Sequence, residues 1–300
     1  MKIIPLAFDS FGTRSMSTFV ETKDVKILID PGVALGPRRY NLTPHQIELE
    51  RLEEHWTKIV KYATLSDVLI ITHYHYDHYN PNDHLEIYKN KTALIKHPTE
   101  KINRSQKQRA AYFLQQIKGL PQKLEYSDGR EFQFASSETE SRQIGGWRTK
   151  IKFSQPVFHG TNSKLGYVTE VLIDDGYKFI HTSDIEGPSL DDQTDFILQN
   201  EPNLVILDGP LSYMLGFRYS HESLNASIKN MIKIIENCPL DSLIIDHHFL
   251  RDLKWKERIA EVFEAAKQKN VKIQTAAEFA GIPTDMLEAR RRELWQTHQK

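Results

Sequence analysis

The chain has 300 residues, 39% hydrophobic and 26% charged, with a formal net charge of -1 at pH 7. That length carries ample core, and the near-neutral balance gives no global electrostatic argument for nucleic acid, so any basic region is local. The single cysteine, Cys238, excludes an intrachain disulfide and fits a reducing cytoplasm; the N-terminus, Met1 to Pro5, enters a strand with no apolar leader and no membrane span.

In chain order, residues 2–8, 17–22 and 25–30 read as short strands, the third stopped by the turn signature Asp30-Pro31-Gly32. Residues 32–40 hold Gly32, Gly36, Pro37 and the pair Arg38-Arg39, and read as a loop. Thr43, Pro44, His45 and Gln46 suggest a capping box with proline at the first helical position. Leu49, Leu52, Trp56, Ile59, Val60 and Ala63 then keep helical spacing to about residue 64. Residues 67–71 are a buried strand by their β-branched content, Thr92–Ile95 is another, and a helix lies near 104–118. Its cations Arg104, Lys107, Arg109 and Lys118 read as a solvated face, with a substrate-facing basic patch as the alternative. From about 123 to 183 strands return, including Glu131–Phe134 and a hairpin turning at Asp174, Asp175 and Gly176. Helices at 191–199, 221–237 and 253–269 then alternate with strands at 204–207, 243–245 and 271–273. The reading is one domain over residues 1–300, an α/β arrangement of two packed sheets with helices outside, ending in a basic helical tail at about 276–300.

The stretch with the most chemistry is Thr72 to His78. His73 and His75 lie two apart, so in extended chain they point the same way and can grip one cation, while Asp77 and His78 come a turn later and can turn towards a second. A solvated loop accounts for one histidine, not for three and an aspartate in H-x-H-x-D-H order. Imidazole and carboxylate suit zinc first, with manganese or iron as alternatives, and three protein ligands leave a position open for water. His159, Asp184 and His247 each follow a predicted strand, completing five imidazoles and two carboxylates, enough for two divalent metal ions with a bridge.

This order of motifs resembles the metallo-β-lactamase superfamily over roughly residues 2 to 275. The resemblance implies a four-layer αββα sandwich with the site on one edge. It also implies His73, His75 and His159 on a first metal, Asp77, His78 and His247 on a second, Asp184 bridging, and Asp30 orienting a ligand. Within the superfamily the chain resembles a stand-alone metallo-hydrolase branch and is partly similar to the tRNA 3′-end processing endonucleases. There a strand-end acidic residue and a histidine opening a helix assist catalysis; Asp208 and His221 stand in those places, and Arg251 follows the last ligand run. Consecutive side chains diverge, so without a sharp bend only one of His247 and His248 faces the metals; the resemblance implies His247, leaving His248 to contact substrate or support the site.

The mechanism expected is hydrolysis by a hydroxide activated between two metals, with Asp77 orienting it and His221 donating a hydrogen bond to the developing oxyanion. Arg251 is a candidate phosphate contact, as are Arg38 and Arg39, for which surface arginine is the simpler reading. A phosphoester, in a small molecule or a nucleic acid, is the first expected substrate. Ester hydrolysis of a small metabolite such as a lactone is the alternative, and a metal-stabilised binding protein without turnover is the reading from another class.

Overall fold

The computed structural model describes residues 1–135 and 148–297. Its first sheet has six strands in sequence order: β1 (Lys2–Phe8), β2 (Met16–Glu21), β3 (Lys26–Ile29), β4 (Val68–Ile71), β5 (Thr92–Ile95) and β6 (Lys123–Tyr126). The first three pair antiparallel, and β3 to β6 run parallel. The second sheet has β7 (Glu131–Phe134), β8 (Thr149–Phe153), β11 (Val171–Asp174), β12 (Lys178–His181), β13 (Leu204–Asp208), β14 (Ser242–Asp246) and β15 (Lys272–Gln274) in the order 7-8-11-12-13-14-15. Here β12 to β15 run parallel. A two-stranded pair, β9 (Val157–Phe158) with β10 (Tyr167–Val168), lies between β8 and β11 in sequence.

Both faces of each sheet are buried, so the strands read as near-continuous apolar runs and the period-two alternation sorts residues between two cores. In β4, Val68 and Ile70 face the second sheet, meeting Phe179, Ile206 and Ile244. Leu69 and Ile71 face outward with Ile59 and Ala63 of helix α1 (Gln46–Leu65) and Phe113 of α2 (Arg104–Gln116). On the far side, Ile180, Val205 and Ile245 meet α3 (Asp192–Asn200), the Leu224, Ile228 and Met231 stripe of α4 (His221–Asn237), and α6 (Ala260–Lys269). The result is helices, sheet, sheet, helices.

Two local expectations shift. Helix α1 begins at Gln46, two residues later than proline at its first position implies: His45 is the cap, its ring accepting from Ile47 N, while Glu48 accepts from His45 N at 2.8 Å. Tertiary contact selects this cap, because Glu48 is also the buried partner of Arg291. The helix expected over 253–269 divides at Ile259 into α5 (Trp255–Arg258) and α6. The segment read as a helical tail carries α7 (Ala276–Phe279) and α8 (Leu287–Thr297), with residues 298–300 outside the described residues. Of its arginine triplet, Arg291 is wholly buried on Glu48, and Glu288 holds Arg14 through two contacts of 2.6 Å. Among the described residues no helix is long and apolar enough to cross a membrane.

Candidate metal centre

The site forms where parallel strands of both sheets end. Asp30 follows β3, His73 follows β4, Asp184 follows β12, Asp208 ends β13 and His247 follows β14. Several of these ends are bent into the left-handed region, with φ of 50° at Asp30, 57° at Ser183, 51° at Glu186 and 59° at His247. Such conformations are costly for residues other than glycine and cluster where side chains must be re-aimed. Close approach also fixes Gly32: a Cβ there would stand 2.1 Å from Tyr79 N, just after His78.

Two groups of four possible ligands share Asp184, beside a smaller one that it forms with Asp208 and His248. One is His73, His75, His159 and Asp184; the other is Asp77, His78, His247 and Asp184, each with its ligand atoms within 4.8 Å of one another. Asp184 lies 3.5 Å from His73 Nε2, 3.2 Å from His159 Nε2, 2.9 Å from His78 Nε2 and 3.4 Å from His247 Nε2. These are the two sets and the shared carboxylate that the motif order implies. Nε2 of His73, His78 and His159 and Oδ1 of Asp184 are buried without a well-aligned hydrogen bond. Orphaned buried polar atoms cost about 1–3 kcal/mol each. Divalent cations held by the two groups would satisfy these atoms, so the donor set fits metal.

The outer nitrogens are anchored. His78 Nδ1 lies on Asp30 at 2.8 Å, His247 Nδ1 on Asp9 at 2.8 Å, and His73 Nδ1 is 3.2 Å from the hydroxyls of Thr72 and Ser183. A carboxylate behind a ligating imidazole fixes its ring and raises its basicity. Burial, aided by His78, lowers His73 to about 4, and burial holds His75 well below its ordinary value, so both are neutral and able to ligate. Burial opposes charge at His78 too, but Asp184 and Asp30 lift it to about 10. Burial likewise pushes Asp184 up, yet His78, His247 and His73 pull it well below the carboxylate range. The field here favours positive charge, and a metal would displace the His78 proton.

His247 and His248 both turn inward, because the positive φ at His247 supplies the sharp bend that consecutive side chains otherwise lack. His247 joins the second group, while His248 Nδ1 lies 2.9 Å from Asp208 and its ring lies 5.7 Å from that of His159. The assignment of His221 to the oxyanion is not supported. Ser220 caps α4 as expected, accepting from Ser223 N at 3.0 Å, but His221 is exposed on a neighbouring cavity, and the histidine beside Asp208 is His248. Arg251 is not a free phosphate contact either: it is buried, its Nε donating to Asp9 at 2.8 Å. Arg38 is exposed, away from the cluster.

Over the ligands opens a cavity of about 450 Å³, whose wall includes Asp77, Glu186, Arg109, Arg218, Tyr76 and Tyr213. Sequence reading missed Asp9 and Glu186, although Asp9 ends a strand as Asp30 does and Glu186 stands two residues after Asp184. Glu186 is buried, 3.7 Å from His159 Nδ1. Arg109, read as part of a solvated face, instead lies 4.7 Å over the Tyr76 ring at the cavity wall. Asp9→Asn is expected to weaken divalent-metal affinity about 10–100-fold, measured by competition with a chromophoric chelator; unchanged affinity would show that the orientation of His247 does not depend on Asp9.

No family model matches the chain. It is 52% identical over 299 residues to a UPF0282 protein of Korarchaeum cryptofilum, covering 99% of this chain and 95% of that one. Among solved structures it is similar to an isothiocyanate hydrolase from Delia radicum gut bacteria, with a TM-score of 0.52, 14% identity, and coverage of 91% and 95% of the two chains. A possible metal-dependent hydrolase from Veillonella parvula gives a TM-score of 0.52 at 14% identity, covering 88% and 95%. The fold is the αββα sandwich of the metallo-β-lactamases.

Proposed function

The chain belongs to the UPF0282 family, and we propose that it is a metal-dependent hydrolase whose substrate is a phosphoester. The observation that carries the substrate class is the pair Arg109 and Arg218: both line the cavity over the ligand groups, and neither forms a salt bridge among the described residues, Arg218 acting on Glu186 only at longer range. A neutral ester needs an apolar, closed pocket; two guanidiniums over a metal cluster suit the non-bridging oxygens of a phosphoryl group.

His73, His75, His159 and Asp184 would hold one ion, zinc being the first choice, and Asp77, His78, His247 and Asp184 a second. When bound, such ions supply an activated water at neutral pH and offset charge on the attacked group. The chain's own residues do the rest. Arg109 and Arg218 bind and orient the phosphoryl oxygens. Asp77, with its side chain 17% exposed at the cavity, directs a water towards them. Asp208 selects the His248 tautomer that donates from Nδ1, so Nε2 faces the cavity as an acceptor for that water.

The test is turnover of bis-p-nitrophenyl phosphate and of a lactone by metal-reconstituted protein. Phosphodiester turnover is expected, with Arg109→Ala and Arg218→Ala each lowering kcat/KM about tenfold or more, the scale of one charge-assisted hydrogen bond. Lactone turnover without phosphodiester turnover would overturn the assignment.

A further inference from the structure

Beside the metal cavity lies a second one of about 400 Å³, and the two share Tyr213 and Arg251 as a common wall. The second cavity carries Arg39, Arg251, Lys254 and Arg258 against a single carboxylate, Asp252. Arg258 is held by Asp252 at 3.1 Å and Arg251 by Asp9 at 2.8 Å. Arg39 and Lys254 are left without a carboxylate partner among the described residues. The chain's net charge of -1 makes this local excess of cations informative.

Arg39 is built into position. Its guanidinium lies between two rings, 4.7 Å from the centre of Tyr40 and 4.5 Å from that of Tyr213, and Nη2 donates to the Arg251 carbonyl at 3.0 Å. Its Nε is buried with no hydrogen-bond partner. The turn that places it is strained, with φ of 55° at Tyr40 and 62° at Asn41, and is held by the Tyr40 hydroxyl donating to the Ala289 carbonyl at 3.0 Å. A bulky residue in the left-handed region is a conformation that surroundings must enforce, and such strain gathers at ligand clamps.

Phe217 is 84% exposed and precedes Arg218, which lines the metal cavity. It is not a loose side chain on a loose loop: the amides of Phe217, Arg218 and Tyr219 all donate to the Met214 carbonyl, closing a tight turn. An exposed ring on a closed turn, next to a guanidinium that lines the metal cavity, is a platform for a planar group. Aromatic faces interleaved with cations hold single-stranded nucleic acid, rings taking bases and cations taking phosphates.

Resting on the phosphoester reading above, we infer that the substrate carries at least two phosphates joined through a nucleoside, as in a dinucleotide or a single strand of nucleic acid. The reacting phosphate occupies the metal cavity, the neighbouring phosphate sits on Arg39 and Lys254 in the second cavity, and a base stacks on Phe217.

The test is fluorescence anisotropy of purified protein with 5′-labelled ten-nucleotide strands of thymidylate and uridylate, with an unlabelled dinucleotide and a nucleoside monophosphate as competitors. The strand or the dinucleotide is expected to bind at least about tenfold more tightly than the monophosphate, since base stacking and a second phosphate both contribute. Equal potency of dinucleotide and strand assigns the dinucleotide; a stronger strand assigns the polymer. The double variant Arg39→Ala, Lys254→Ala should lose about tenfold in affinity, and its plot of log affinity against log salt should flatten by about 1.4, roughly 0.7 for each phosphate contact removed from a single strand. Lys254 is exposed, so Lys254→Ala alone keeps the test usable if the double variant is unstable, with a flattening of about 0.7. Monophosphate binding as tight as that of the longer ligands, or an unchanged salt slope, overturns the second site. Wild-type turnover of bis-p-nitrophenyl phosphate is scored apart: its absence removes the hydrolase reading, whereas turnover without strand or dinucleotide binding removes only the inference made here.

Discussion

Asp184→Asn is expected to cause the largest loss of function, lowering bound divalent metal from about two per chain to one or fewer and kcat/KM by about 10³ or more, a loss of ~4 kcal/mol in the transition state. The reason is geometric. Asp184 alone belongs to both ligand groups, standing within 3.5 Å of a nitrogen of His73, His78, His159 and His247. An amide in its place keeps the volume but loses the charge that offsets a cation in a buried site. Metal content by plasma emission spectrometry, read beside turnover, checks it; a variant that keeps its full metal complement would sink the shared-carboxylate assignment.

Glu48→Ala should have the largest effect on stability. Glu48 and Arg291 are both wholly buried, and the guanidinium makes contacts of 2.7, 2.8 and 3.1 Å with the carboxylate. Removing one partner leaves a charge buried and uncompensated, which costs about 3–5 kcal/mol. The expected fall in Tm is roughly 5–8 °C by calorimetry. Replacing both residues, as in Glu48→Gln with Arg291→Met, should recover much of that loss, because no unpaired charge remains. A single-variant shift below about 2 °C would place the pair among weak surface contacts instead.

The C-terminal helix shows what local sequence leaves open. Three consecutive arginines, Arg290 to Arg292, mark it as basic, and each meets something different. Arg291 is buried on Glu48, Arg290 reaches Asp285 and Glu293 at the surface, and Arg292 lies over the Tyr40 ring. Local pattern reports which faces of a helix are polar, not whether a polar face finds a partner from a distant part of the chain. The same holds for α2, where Arg109 turns to the cavity while its neighbours Lys107 and Gln108 stay exposed.

What the sequence determined by itself was the part that follows from short-range geometry. Strands with apolar runs, the period-two sorting of Val68 to Ile71, the helical stripe of α4 and the close spacing of His73, His75, Asp77 and His78 are properties of contiguous residues. Resemblance of the whole motif order then extended the ligand set to His159, Asp184 and His247, which the structure brings into the same two groups. Only the tertiary structure decided which distant groups face these residues. It set His248 rather than His221 beside Asp208, put Asp9 behind His247 across 238 positions of chain, and folded α8 back to hold Arg14. The physical reason is that such contacts depend on backbone bends of a few residues, such as the left-handed turn at His247, acting through rigid strands. A bend of that kind redirects a side chain completely while leaving no trace in hydrophobic periodicity.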